Sequence, residues 1–286
     1  MKLSQVKNNG SIELALWRGK DLFSLRNIAP RLSLNDLLGA SGSLRNDLEQ
    51  RLNRAQSKDI LDPEQLSFLP PLPESSKILC AGLNYQSHAT EVAAPAAEFP
   101  NFFTRFTDTL VGHAQALRIP ANSQELDYEG ELAVVIGKTC YGTLTENQAL
   151  ECVSGYTIFN DASVRDFQFR ASQWTLGKNF PATGGCGPML VSADELPLGA
   201  KGLNLHTLID GTVMQTGNTA DLIFDVAALI QALAVVTPLR CGDLIITGTP
   251  AGVGFTRNPP RFLQSGEHCE IRIEGIGALI NPVVAA

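Results

Sequence analysis

Every side chain from 132 to 136 is apolar, and the run stops at Gly137. A short apolar stretch ended by glycine is the profile of a buried strand. Comparable stretches predict strands over 77–81, 156–159, 189–191, 203–209, 244–247 and 269–273. At the start of the chain, 2–7 and 11–17 flank Asn8-Asn9-Gly10. Asn-Gly is a strong hairpin turn signal, so the two segments read as a β-hairpin. Helical spacing is rarer. It covers part of 34–52, the regions 146–152 and 163–172, and 220–236, where Leu222, Val226, Leu229 and Leu233 share one face ahead of Pro238.

Asp62-Pro63 and the run Leu69-Pro70-Pro71-Leu72-Pro73 interrupt any regular element. They place a boundary near residue 75, with a small hairpin-plus-helix domain over 1–75 and a catalytic domain over 76–286. The later part lacks an alternating βαβ rhythm and a Gly-rich phosphate loop, which argues against a nucleotide-binding sheet. The glycines between 248 and 254 come without the lysine of a phosphate loop. They fit close approach of backbone to a small ligand.

The 286 residues are 44% hydrophobic and 18% charged, an ordinary globular composition. A net charge of −7 argues against nucleic acid and anionic membranes as partners. It also means that an anionic substrate needs local positive charge. No apolar run approaches ~20 residues, so no membrane-spanning helix is expected. The first residues lack the apolar core of a secretion signal. Six cysteines, at 80, 140, 152, 186, 241 and 269, show no C-x-x-C spacing and read as reduced thiols. A cytoplasmic location is the simplest expectation. Cys186, among glycines, is the best candidate for a catalytic thiol, against the commoner reading of a buried structural one.

The densest chemistry lies just before the 132–136 run, at Asp127, Glu129 and Glu131. If the strand begins a few residues early, period-2 alternation puts all three carboxylates on one face. Buried together they would repel and lose hydration unless a cation sits between them, and hard oxygen ligands suit Mg²⁺, Mn²⁺ or Ca²⁺. A frayed, solvent-facing strand end is the plain alternative. Asp161 follows another apolar segment and could supply a third ligand or simply cap a helix. His88 and Glu91 are three apart, so on one helical turn the carboxylate can hold the imidazole as a general base. An ordinary polar helix turn would look the same.

Taken in order, the motifs resemble those of the fumarylacetoacetate hydrolase family. They are residues 77–85 with His88, then Phe103-Thr104-Arg105, then 128–137 and Gly155-Tyr156-Thr157 with 160–166. Gln173-Trp174 with Lys178, 247–254 and Gly275-Ile276-Gly277 with Leu279 and Asn281 complete the series. The resemblance spans about 77–282.

It implies a β-rich α+β fold of packed mixed sheets with few helices, and a homodimer. Glu129, Glu131 and Asp161 match the family's ligands for Mg²⁺ or Mn²⁺, and His88 with Glu91 matches its water-activating dyad. Asp127 is not a usual ligand of that set. Lys178 matches a lysine near the metal, and Thr249 a substrate-contacting residue. Arg105 stands where a substrate carboxylate would be met, and Gln168 in the stretch lining the pocket. Arg165 and Asp166 read as a structural ion pair. The segment 180–186 and His113 depart from the family's pattern.

The activity implied is cleavage of a C–C bond in a small β-diketo acid, acylpyruvate- or fumarylpyruvate-like, through activated water and a metal-stabilised enolate. A decarboxylase, isomerase or hydratase of a related oxo-dicarboxylate is the alternative. A non-catalytic binding protein on the same scaffold is the remote one.

Overall fold

The computed structural model describes residues 1–73 and 77–286. The boundary expected near residue 75 falls outside the described residues. On either side of it the chain builds one sheet. In spatial order the strands are Ile60–Leu61, Asp21–Ser24, Ser11–Arg18, Lys2–Asn8, Gly184–Ser192, Val153–Asp161, Gly130–Ile136, Leu244–Ile246, Ile78–Gly82 and Asn101–Arg105. The N-terminal hairpin joins the rest through Lys2 and Leu3, which pair antiparallel with Val191 and Leu190. Its turn puts Asn9 and Gly10 both at positive φ, 48° and 82°, the geometry that Asn-Gly favours in a two-residue hairpin.

Pairing across the sheet centre is mixed, with Leu244–Ile246 antiparallel to Gly130–Ile136 and parallel to Ile78–Gly82. Both faces are covered. Leu132, Val134 and Ile136 point into a core shared with the helix Val226–Val236 and the second sheet. Ala133 and Val135 point into a core shared with Leu3, Leu16, Phe23 and the small N-terminal helices. That is why the run is continuously apolar and does not alternate. The second sheet has five strands, in the order Thr212–Asn218, Asn204–Ile209, His268–Ile273, Gly277–Ala285 and Leu117–Ile119.

Several expected elements differ. The helical stretch 34–52 is two helices, Leu34–Leu38 and Gly42–Asn53, because Gly39 ends the first and Ser41 caps the second. The helix expected from residue 220 starts at Val226, where the Asp225 side chain accepts from Ala228 N. In 163–172 only Arg165–Gln168 is helical. Asp127 is not part of the strand that carries Glu131. It lies in the short strand Leu126–Asp127, paired with Ser163–Val164 in a separate two-stranded ribbon. The one-face argument for three carboxylates therefore fails at Asp127. No helix among the described residues is long and apolar enough to cross a membrane.

Candidate active site

Antiparallel register builds the acidic cluster. Gly130 pairs with Asn160 and Glu131 with Phe159, while Asp161 N donates to Glu129 O. Residues 129 and 131 are two apart, and 161 lies across from 129, so all three side chains project from one face. Their carboxylate oxygens lie within 4.8 Å of one another, and all three residues are buried.

Three buried cations surround them. Lys178 Nζ donates to Glu129 Oε2 (2.7 Å) and to Asp161 Oδ2 (2.6 Å). Arg105 donates to Asp161 Oδ1 (2.6 Å), Thr183 Oγ1 (2.7 Å) and Ala162 O (3.1 Å). Arg165 Nη2 lies 2.7 Å from Glu129 Oε1, an ion-pair contact without hydrogen-bond alignment.

Glu131 has no cationic partner among the described residues. Its carboxylate accepts from Gly248 N, the amide that opens the glycine-containing loop. Burial and the like charges of Asp161 and Glu129 push its pKa well up. Burial would raise Glu129 too, but Lys178 and Arg165 bring it down to about 2. With Glu131 ionised, four buried carboxylates (Asp127, Glu129, Glu131 and Asp161) face only Arg105, Arg165 and Lys178, leaving one negative charge uncompensated. Clustered hard oxygen donors and a deficit of positive charge are what a divalent cation requires, so the donor set fits Mg²⁺ or Mn²⁺.

The expected ion pair between Arg165 and Asp166 is not formed. Arg165 Nε donates to Asp127 Oδ2 (2.9 Å) and Nη1 to Gln168 Oε1 (2.7 Å). Asp166 instead accepts from Ser123 Oγ (2.6 Å), because the helix turns it outward. Asp127 also accepts from Gly254 N (2.7 Å) and Phe255 N (3.0 Å), fixing the loop that follows Thr249. Gly254 allows this approach; a methyl group there would meet Asp127 Oδ1 and the Arg261 carbonyl.

The dyad comes from the helix Gln86–Glu91, which follows the strand Ile78–Gly82. Glu91 Oε2 lies 2.8 Å from His88 Nδ1, which leaves Nε2 for chemistry. Burial would raise the Glu91 pKa. Hydrogen bonds from His88, Gly252 N and the Thr256 hydroxyl outweigh that and hold it below the usual carboxylate range.

A cavity of about 350 Å³ opens over these groups, lined by His88, Glu129, Glu131, Asp161, Arg165, Gln168, Lys178 and Thr249. Arg105 is not in that lining, so it braces Asp161 and Thr183 rather than facing the cavity. The far wall is apolar: Leu83, Val92, Phe103, Phe169, Trp174 and Phe255. Leu83, Phe103 and Trp174 lie within the motifs, but sequence reasoning missed Val92, Phe169 and Phe255, because single apolar side chains on separate segments carry no periodic signal. Gly82 makes room for it, since a methyl group at that position would run into the Trp174 indole. Cys186 is buried in the core, and burial pushes its thiol well up, which makes it a structural residue. His113 accepts from Ile280 N (3.1 Å) and packs edge-on against Phe68, away from the cavity.

The family model described as fumarylacetoacetate (FAA) hydrolase C-terminal matches residues 77–284. The mitochondrial oxaloacetate tautomerase fahd2 of Xenopus laevis is 35% identical over 292 residues, covering 99% of this chain and 90% of its own. The oxaloacetate tautomerase YisK of Bacillus subtilis is 41% identical over 218 residues, covering 74% of this chain and 71% of its own. Among solved structures, the maleylpyruvate hydrolase of Sphingobium in complex with manganese (II) ion and pyruvate superposes with a TM-score of 0.81 at 26% identity, with full coverage of both chains. A match of this extent to the family model, together with relatives at this identity, makes the chain a member of the fumarylacetoacetate hydrolase family.

Proposed function

We propose that this chain moves a proton at the carbon beside the ketone of a small 2-oxo acid, with oxaloacetate keto–enol interconversion as the first activity. The observation that carries this is the single cavity faced by both His88 Nε2 and the three clustered carboxylates. Relatives named oxaloacetate tautomerase support the choice of substrate. A divalent cation held by Glu129, Glu131 and Asp161 would supply Lewis acidity to a chelating 2-oxo acid.

His88, fixed through Nδ1 by Glu91, takes the proton from the substrate carbon or returns it. Lys178 offsets the charge that develops on the ketone oxygen, and Gln168 and Thr249 orient the acid. Such a cation, together with Lys178, would also answer the electrostatic problem of an anionic substrate entering a protein of net charge −7.

C–C bond hydrolysis of a β-diketo acid is the second reading, favoured by the likeness to maleylpyruvate hydrolase. The same dyad would then deprotonate water. A homodimer belongs to this proposal as a family-based expectation, and a cytoplasmic location as one read from the scattered, unpaired cysteines.

The test is a stopped-flow assay of enol-oxaloacetate ketonisation with metal-stripped and Mg²⁺- or Mn²⁺-loaded protein. Acetate and pyruvate released from acetylpyruvate are assayed in parallel. Metal-dependent ketonisation above background, abolished by His88→Gln, supports the first reading. Acetylpyruvate cleavage without any ketonisation replaces it with the second. Silence on both sinks both.

A further inference from the structure

Glu91 is held on two sides. One oxygen faces His88, and the other, Oε1, accepts from Gly252 N (2.9 Å) and from the Thr256 hydroxyl (2.8 Å). A third tie joins the same helix and loop, where Ala251 N donates to Ser87 Oγ (3.4 Å). The Thr256 hydroxyl carries one hydrogen and has a second acceptor within reach, Val253 O at 3.0 Å. A carboxylate is the stronger acceptor and lies nearer, so the hydrogen goes to Glu91.

The loop that supplies these donors is itself fixed from beneath. Asp127 accepts from the amides of Gly254 and Phe255 and from Arg165, whose other arm reaches Glu129. One stretch of backbone, 251–256, therefore sets where the dyad carboxylate stands relative to the acidic cluster.

We propose that Thr256 is a positioning residue for proton transfer at His88. Its hydroxyl locks the Glu91 carboxylate so that the other oxygen meets Nδ1–H and presents Nε2 to the cavity. This rests on the reading of His88 as the base. Thr256 touches neither His88 nor the acidic cluster, and it sits half-buried on a surface loop, so removing its hydroxyl leaves the core intact.

The test compares Thr256→Val, Thr256→Ala and Thr256→Ser with the parent in two independent measurements. The first is ¹⁵N NMR of the histidine ring nitrogens, which reads the neutral tautomer of His88 without any substrate. The expected result is Nδ1-protonated His88 in the parent and in Thr256→Ser, with Nε2-protonated or exchanging His88 in the Val and Ala variants. The second is turnover, where kcat falls about tenfold in Val and Ala at little-changed KM and returns in Ser, the size expected for one hydrogen bond to a charged acceptor.

A His88 tautomer unaltered in both hydroxyl-free variants overturns the proposal. If the parent turns over neither oxaloacetate nor acetylpyruvate, the functional reading fails while the NMR comparison still decides the role of Thr256.

Discussion

Arg165 Nε lies 2.9 Å from Asp127 Oδ2, with both side chains almost wholly withdrawn from water. Asp127, the residue that alternation assigned to a metal cluster, is thus already saturated by a guanidinium and loop amides. Removing one member of a buried pair strands the other's charge, which costs about 3–5 kcal/mol. Asp127→Ala is therefore expected to lower unfolding free energy by that amount in urea titrations. Asp127→Ala combined with Arg165→Met should lose less than the sum of the two single changes, because Arg165 also serves Glu129. Strictly additive losses would show that the two groups do not act as a pair.

The acidic cluster has opposite pH signatures at its two glutamates. Glu129 is depressed to about 2 by Lys178 and Arg165 against the effect of burial, so its contribution is fully present above the ordinary glutamate range. That contribution should fade as pH falls from about 4.5 toward 2. Glu129→Gln should flatten this part of a stability–pH profile.

Glu131 runs the other way. Burial and its like-charged neighbours raise its folded pKa, so its stabilising contribution is present at acid pH and lost as pH rises. Metal-stripped protein should accordingly be restored near neutral pH by added Mn²⁺, by about 2.7 kcal/mol at a hundredfold excess over Kd. In Glu131→Gln the stripped form should be more stable at neutral pH and gain little from the ion. A thermal-shift series over Mn²⁺ concentration reads both effects, and an undiminished ion response in Glu131→Gln would remove this residue from the binding set.

Loss of the dyad should separate catalysis from ion binding. His88→Gln is expected to lower kcat by roughly 10²–10⁴-fold, the range for general-base catalysis, while Mn²⁺ affinity measured by calorimetry stays near that of the parent. A comparable fall in Mn²⁺ affinity would place His88 among the ligands.

Gly82→Ala should act on the aromatic wall. The added methyl displaces the Trp174 indole, which sits edge-on to Phe103 at 5.5 Å between ring centroids. Trp174 is half-buried and meets the methyl with its ring edge and not with backbone, so unfolding temperature should change little while KM rises across a series of acyl-substituted pyruvates. Unchanged KM throughout that series would exclude the wall from substrate contact.

Much of the local structure was legible. The buried run at 132–136, the Asn-Gly hairpin and most strand centres follow from patterns within ten residues. Boundaries were less so: Gly39 and Asp225 cut helices that periodicity alone carried through, because caps act through single hydrogen bonds that apolar spacing does not register. For the site, the order of motifs pointed to Glu129, Glu131, Asp161, His88, Glu91 and Lys178, and the structure brings these around one cavity. The expected pairing of Arg165 with Asp166 is not formed: Arg165 goes to Asp127 and Glu129, and Arg105 is found bracing Asp161. A buried arginine goes to whichever carboxylate its neighbours leave unmatched, and that depends on all of them at once.

The sequence by itself determined the residue types and spacings: two carboxylates two apart at the head of a buried strand, a third ending another, and an imidazole one turn from a glutamate. Tertiary structure alone decided that residue 161 lies across from 129, that Asp127 belongs to the loop and not to the cluster, and that Thr256 reaches Glu91 from 165 positions away. The reason is physical. Alternation and helical periodicity are properties of a few neighbouring dihedrals, whereas the partner of a buried charge is set by strand register and loop closure between distant segments.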